Sequence, residues 1–300
     1  MKKDNITVIS KPRENECGGT YATLDNDAPK KIISNDITLF SVTSKLNMFN
    51  AGEEDGERLR FVSAFAAKTE RGSFLYLETL SCYDDNRNSY LAFVKSDIFP
   101  LLDAIARQYN FAKQNGFHST THGLPENFGG DVKIRYESGE EINFSDNQSP
   151  VIPVDAGVKI ASVFGEYAKA EPVPLPGTPD IEAIRFFEER DDGFTKAELK
   201  IRPDGTAVNY KSSKYGDGKI FESEKEVDKD TVAQILKTVL DCGMLAWRYL
   251  PENEYAAGNL KTLTFVFKDK IEITADNRRS LPLRISNGFF DIELEIATKH

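Results

Sequence analysis

Apolar and polar residues alternate with a period of two along several short runs of this chain, then switch to helical spacing. That progression occurs twice. In the first half, Asp36 to Val42, Arg60 to Ala66, Ser73 to Leu80 and Tyr90 to Val94 are rich in aliphatic and aromatic residues and separated by turn residues, so they predict four strands. In the second half, Ile181 to Phe187, Thr195 to Ile201, Ala207 to Tyr210 and Lys219 to Phe221 predict four more, with Pro203-Asp204-Gly205 as a hairpin turn. A helix follows each set. Ile98, Leu101, Leu102, Ile105 and Tyr109 fall on one helical face, with Ser96 or Asp97 placed to cap it. Val232, Ile235, Leu236, Val239 and Leu240 do the same, with Asp230 as the expected cap. Gly116 and Gly243 stand where left-handed helix ends are expected.

Beyond each helix, Leu124-Pro125-Glu126-Asn127 reappears as Leu250-Pro251-Glu252-Asn253. A hairpin is then predicted in each half: Val132 to Tyr136 with Ile142 to Phe144, and Leu263 to Phe267 with Ile271 to Ile273. Asp146-Asn147 is read as answering to Asp276-Asn277. Ile160, Val163, Phe164 and Tyr167 predict a closing helix for the first copy. At the C-terminus Phe290, Ile292, Leu294 and Ile296 alternate like a strand, but the repeat favours a helix with Phe289, Ile292 and Ile296 inward. The expected fold class is α+β: two tandem copies of an antiparallel ββββ-α-ββ-α module, with helices packed on one sheet face and the other face wet. The predicted organisation is a loose N-terminal arm over 1–29, with a short strand at Ile6 to Ile9, a first module over 30–170 and a second over 180–300. Between the modules lies a linker over 171–179, where four prolines remove backbone donors and fix φ.

Pro29-Lys30-Lys31-Ile32-Ile33 ahead of Ile37-Thr38-Leu39-Phe40-Ser41, with Asn115-Gly116-Phe117, the Leu-Pro-Glu-Asn turn and Tyr136-Glu137-Ser138-Gly139-Glu140, resembles uncharacterised bacterial proteins carrying a repeated module of this kind. The resemblance runs from about residue 29 onward. It implies the fold and brings no activity, cofactor or catalytic residue with it.

Charge narrows the partners. With 48 acidic against 38 basic residues the net charge is -10, which opposes adsorption to phosphate backbones or anionic lipid. Nucleic acid and membrane are therefore not expected as partners. Three cysteines, Cys17, Cys82 and Cys242, show no paired spacing, and no apolar leader or spanning segment is evident, so a reducing, cytoplasmic setting is expected.

Candidate chemistry is sparse. His118-Ser119-Thr120-Thr121-His122 places two imidazoles four residues apart, a metal-binding spacing on a helix. The glutamate of a metalloprotease helix is missing, and Gly116 with the Ser-Thr-Thr run favours a loop, so no metal or other cofactor is expected. No cysteine–histidine or nucleophile-elbow pattern is present. Gly129-Gly130 and Tyr215-Gly216-Asp217-Gly218 read as turns, not phosphate cradles, and Asp84 to Asn88 lacks the glycine and distal glutamate of a calcium loop. Glu126 and Glu252 are twin candidates in the repeated turn, though Pro followed by Glu-Asn also suits a plain type I turn. Trp247 and Tyr249 are candidate contact aromatics, with core anchoring as the alternative.

Taken together, the residues point to a non-enzymatic binding or interaction protein for a protein, peptide or glycan. His118, His122, Trp247, Tyr249, Glu126 and Glu252 are its candidate binding residues. The alternative is an enzyme using carboxylates and histidines in a cleft between the modules. The oligomeric state is not encoded in any feature of the sequence.

Overall fold

The alternating runs fold as strands of two largely antiparallel sheets, and the helically spaced runs fold as helices laid against them. A computed structural model describes residues 5–12, 18–46, 59–69, 72–81, 87–123, 128–168, 181–245, 259–276 and 283–298. The chain separates into two compact units, Met1–Val173 and Pro174–His300. The fold class is α+β, and among the described residues no helix is long and apolar enough to cross a membrane.

In the first unit the strands are β1 (Ile6–Ser10), β2 (Gly19–Asp25), β3 (Ile37–Lys45), β4 (Leu59–Thr69), β5 (Gly72–Ser81), β6 (Arg87–Val94), β7 (Phe117–His122), β8 (Gly130–Tyr136) and β9 (Glu141–Asp146). They form one sheet in the order β1-β2-β7-β9-β8-β3-β4-β5-β6. Helix α1 (Phe99–Gln108) follows β6 and helix α2 (Val154–Ala168) follows β9. Alternate residues of β3 to β6, β8 and β9 point at the helices. Phe40, Val42, Val62, Ala64, Leu75, Val132, Ile134 and Phe144 form one cluster with Phe99, Leu102 and Ile105 of α1 and Ala156, Ile160 and Phe164 of α2. Burying each large member contributes about 1.5–3 kcal/mol, so this layer holds the unit together.

The second unit contains β10 (Ile181–Arg190), β11 (Gly193–Ile201), β12 (Ala207–Tyr215), β13 (Phe221–Val227), helix α3 (Lys229–Asp241), β14 (Lys261–Phe267), β15 (Glu272–Asp276) and helix α4 (Leu283–Glu293), which runs on as a wider helical turn over Leu294–Thr298. Its sheet order is β13-β12-β11-β10-β14-β15. That is the order β6-β5-β4-β3-β8-β9 of the first sheet, strand for strand. The irregularities also coincide. The pair β3/β8 shifts register between Ile37↔Tyr136 and Leu39↔Arg135, and β10/β14 shifts between Ile181↔Phe267 and Ala183↔Val266. Both closing hairpins bend at a left-handed residue, Gly139 (φ 85) in one and Lys270 (φ 68) in the other. The matching bonds are Gly139 N–H to Tyr136 O and Lys270 N–H to Phe267 O.

Several expectations need correction. Residues 1–29 are not a loose arm where described: β1 pairs with β2, and β2 pairs with β7. The short strand expected at Ile6 to Ile9 is β1, and the strand that the polar composition hid is β2, whose second partner β7 lies far along the chain. The segment His118 to His122 is strand β7, not a loop. Asp228, not Asp230, caps α3, its carboxylate accepting from Thr231 N at 2.9 Å. Asn110 (φ 53) takes the left-handed position just after α1, Gly116 (φ 79) takes one after the short helical turn Phe111–Gln114 that follows, and Gly243 (φ 66) follows α3. In the register of the hairpins, Asp276 faces Thr262 as Ser145 faces Asp131, so Asp276 answers to Ser145 and not to Asp146. The face of the first sheet away from α1 and α2 is not simply wet. There Phe65, Phe74, Tyr76 and Phe93 are buried, with Phe74 ringed by Phe65 and Phe93 at 5.9 and 5.4 Å between centroids.

The C-terminal ambiguity resolves as a helix: Phe289, Ile292 and Ile296 are buried and Phe290 is exposed, with the Phe289 ring edge-on to Phe186 of β10. Below that ring, Glu188 of β10 is buried and bonded to Arg190, and Lys261 of β14 reaches both Glu188 (3.8 Å) and Glu293 of α4. Burial pushes the Glu188 carboxyl up, but the Arg190 hydrogen bond and the two nearby cations more than reverse this and hold it below its ordinary value. A lowered folded-state pKa gives stability that is present above the unfolded value and is lost as pH falls through the folded one. Glu188→Gln is therefore expected to lower unfolding free energy at neutral pH by about 1–3 kcal/mol, with the deficit shrinking as the pH falls below the ordinary glutamate range. Urea titrations of both proteins across that range check it.

Candidate functional site

A strand rises about 3.3 Å per residue and presents alternate side chains on one face. His118 and His122 therefore share a face of β7 but stand about 13 Å apart, too far for one metal ion. Among the described residues no group of metal-ligating side chains gathers. His118 instead places Nδ1 2.9 Å from Ser145 Oγ on β9, and His122 is exposed near the strand end. Glu126, Glu252, Trp247 and Tyr249 lie outside the described residues.

His118 begins a polar row across the first sheet that no local motif announces. Paired positions on neighbouring strands share a face, with Cβ atoms about 4.5–5.5 Å apart. The pairings His118↔Ser145, Ser145↔Asp131, Asp131↔Thr43, Thr43↔Ser63 and Ser63↔Glu78 line these side chains up on the face away from the helices. Thr43 and Ser63 hydroxyls meet at 3.2 Å, and Tyr76 donates to the buried Glu78 carboxylate at 2.6 Å. Among the described residues the Asp131 carboxyl has no hydrogen-bond partner, and burial pushes it up to about 6, with Lys133 pulling the other way. The His118–Ser145 pair can exchange a proton. Ser145, however, sits on a strand paired on both sides, so its amides are committed to ladders instead of to an oxyanion.

Beside His118, Asp25, Asp27, Glu140, Glu141 and Asn143 line a cleft of about 590 Å³. Its carboxylates serve the fold. Glu140 accepts from the amides of Ile33 and Ser34, which hold its carboxyl below the ordinary value; Glu141 pairs with Arg135; and Asp25 accepts from the amide of Asp27.

The second sheet offers a different surface. On its face away from α4, Arg185 and Phe187 of β10, Lys196 and Glu198 of β11, Tyr210 of β12 and Glu224 of β13 line a groove of about 830 Å³. Register explains the gathering: Arg185, Glu198, Tyr210 and Glu224 form one transverse row, and Phe187, Lys196, Ser212 and Glu222 the next. Arg185 bonds Glu198 (2.8 Å) and Glu272 (2.9 Å), and Lys200 reaches Glu198 at 3.2 Å. Burial pushes the Glu198 carboxyl up, but Arg185 and Lys200 outweigh it and hold it below the usual glutamate range. The rings carry cations. Lys196 lies 5.5 and 5.0 Å from the Phe187 and Phe194 centroids, and Lys200 lies 5.1 Å from that of Tyr210. Among the described residues Lys196 has these two rings and no carboxylate. Such a face can grip a polar chain through charge while giving it aromatic surface. The signal was present in the sequence as the alternation Phe194, Lys196, Glu198, Lys200, which fixes the outward set of β11 once its inward set is known.

Neither protein-family models nor curated proteins give a match to this chain.

The raised carboxyl of Asp131 has a measurable consequence. An acid whose folded-state pKa lies above its unfolded value costs stability once ionised, with the cost building between about pH 4 and pH 6 and complete above that. Asp131→Asn is expected to raise stability near pH 8 by about 1–2 kcal/mol and to leave it unchanged near pH 4. Thermal or urea unfolding at both values checks the sign.

Proposed function

We propose that this chain is a non-enzymatic binding protein built from two copies of one module, and that the open face of the second sheet is its binding surface. The duplication rests on the shared strand order and on the register shift that recurs at the same place in the pairs β3/β8 and β10/β14. A bulge is a specific local feature, so its recurrence at an equivalent position argues for descent from one unit more strongly than the strand order does.

The observation that carries the binding reading is the groove itself, where exposed rings alternate with charges on a sheet face. Tyr210 stays 39% exposed there, and Lys196 is held over rings instead of being neutralised by a carboxylate. Its carboxylate Glu198 is locked between Arg185 and Lys200 and kept ionised, which suits recognition and not proton transfer. A polypeptide partner fits this mixture of aromatic and oppositely charged groups.

The test places a photoreactive phenylalanine at Tyr210 in the groove or at Phe290 on the exposed side of α4, in the full-length chain within its native cells. A discrete polypeptide adduct is expected from position 210 and not from 290. Adding Lys196→Glu should cut the adduct about tenfold with an unchanged melting temperature. Equal labelling from both positions, or indifference to Lys196→Glu, would remove the groove from the account.

A further inference from the structure

Strand β13 is the free edge of the second sheet, paired to β12 on one side only among the described strands. Every residue from Phe221 to Glu226 is exposed. A free edge presents a row of unpaired amides and carbonyls, and an extended chain can join it as an additional strand. The side chains of β13 restrict which chain that is. Glu222, Glu224 and Glu226 alternate onto the groove face, opposite Ser212, Tyr210 and Val208. Glu226 already shows what these carboxylates take: both its oxygens accept from the Arg202 guanidinium, at 2.6 and 2.7 Å. Glu222 and Glu224 have no such cation among the described residues. The equivalent edge of the first sheet, β6, is built otherwise, with Ala92, Phe93 and Val94 buried.

We infer that β13 receives an extended polypeptide segment with basic residues at alternate positions, added antiparallel or parallel to the sheet edge. This deepens the binding reading above and rests on it. Cross-strand neighbours of opposite charge stabilise a pair, and like charges directly opposite destabilise it. Lysines or arginines spaced by two would meet Glu222 and Glu224 in turn, and the added strand would widen the groove floor beyond Tyr210. The same rule excludes a second copy as occupant. Antiparallel pairing of β13 with itself, centred on Glu224, sets glutamate against glutamate at every position on the groove face. A neutral apolar strand would leave both carboxylates unmatched.

The probe is a fluorescein-labelled peptide of alternating lysine and threonine, titrated into the full-length chain and followed by anisotropy. Saturable binding is expected, weakened by salt, absent for the glutamate–threonine analogue, and weakened about tenfold by the double substitution Glu222→Gln, Glu224→Gln. Two further peptides carry N-methyl groups on either set of alternate backbone nitrogens. An added strand turns only one set toward β13, so one peptide should lose binding and the other keep it. Equal behaviour of the two would overturn edge pairing. So would binding unaffected by the glutamine substitutions. A dimer seen by sedimentation that the peptide dissociates would assign the edge to a second copy instead. If the peptide fails while photolabelling through position 210 still captures a polypeptide, the edge inference falls and the groove reading stands. Failure of both removes the two together.

Discussion

The six-strand order that the two sheets share depends on one non-local strand pairing, β3 with β8 in the first unit and β10 with β14 in the second. The four-stranded meander forms from neighbours in sequence, and so does the closing hairpin. Joining them requires the first strand of the meander to meet the first strand of the hairpin after the whole intervening helix and loop have been closed. Loop-closure cost grows only with the logarithm of loop length, so the separation itself is cheap. What must be specified is register, because a slip by one residue would turn every core side chain to the other face. Ile37↔Tyr136 and Ile181↔Phe267, each followed by the same shift, mark where that register is set. Once it is set, Phe40 and Val42 of β3, or Ile184 and Phe186 of β10, face the layer that the helices cover.

This constraint also explains what could be read from the residues alone. Strands with one covered face announce themselves by alternation, as β11 does, and helices by their spacing, as α3 does. The division of the chain at Val173–Pro174 falls among the four prolines after residue 170. Strand β5 was legible as a strand from its run Phe74-Leu75-Tyr76-Leu77, whose lack of alternation is itself the signature of burial on both faces. The general rule that antiparallel sheets keep one face wet does not hold for this strand.

The parts that stayed illegible share one cause: their meaning lies in pairings between distant residues. Nothing local in Phe117 to His122 fixes a strand, since it gains its ladder only from β2 and β9, and Gly19 to Asp25 meets β7 on the side away from its hairpin partner β1. Threonine at 120 and 121 was the available hint, given its preference for strands. The histidines show the consequence for chemistry. Spacing of four brings two imidazoles to one metal on a helix and carries them apart on a strand, so the same residues change meaning with the backbone beneath them. The row from His118 to Glu78 draws one residue from each of six strands, and the groove on the second sheet likewise depends on register across β10 to β13.

Comparison of the two sheets then separates what their shared strand order needs from what differs between them. The helix-facing layer is mainly apolar in both, with Glu188 and Asn209 as bonded polar members in the second, because either sheet would otherwise have nothing to hold its helices. The edges differ. In the first unit β7, β2 and β1 continue the sheet beyond β9, and β6 on the opposite side ends in buried Ala92, Phe93 and Val94. In the second unit the place of β6 is taken by Phe-Glu-Ser-Glu-Lys-Glu-Val, exposed along almost its whole length. Stability alone gives no reason for that substitution, since a row of like charges at alternate positions repels itself and buries nothing. Charged edges do suppress unwanted strand pairing, but suppression needs charge of either sign and does not require all the groove-facing charge to be negative. The uniformly negative edge stands beside a floor where Arg185, Lys196 and Lys200 supply the opposite sign two or three strands inward. The face thus carries Glu222, Glu224 and Glu226 at its rim, while toward its middle cations and carboxylates are paired, Arg185 and Lys200 both holding Glu198.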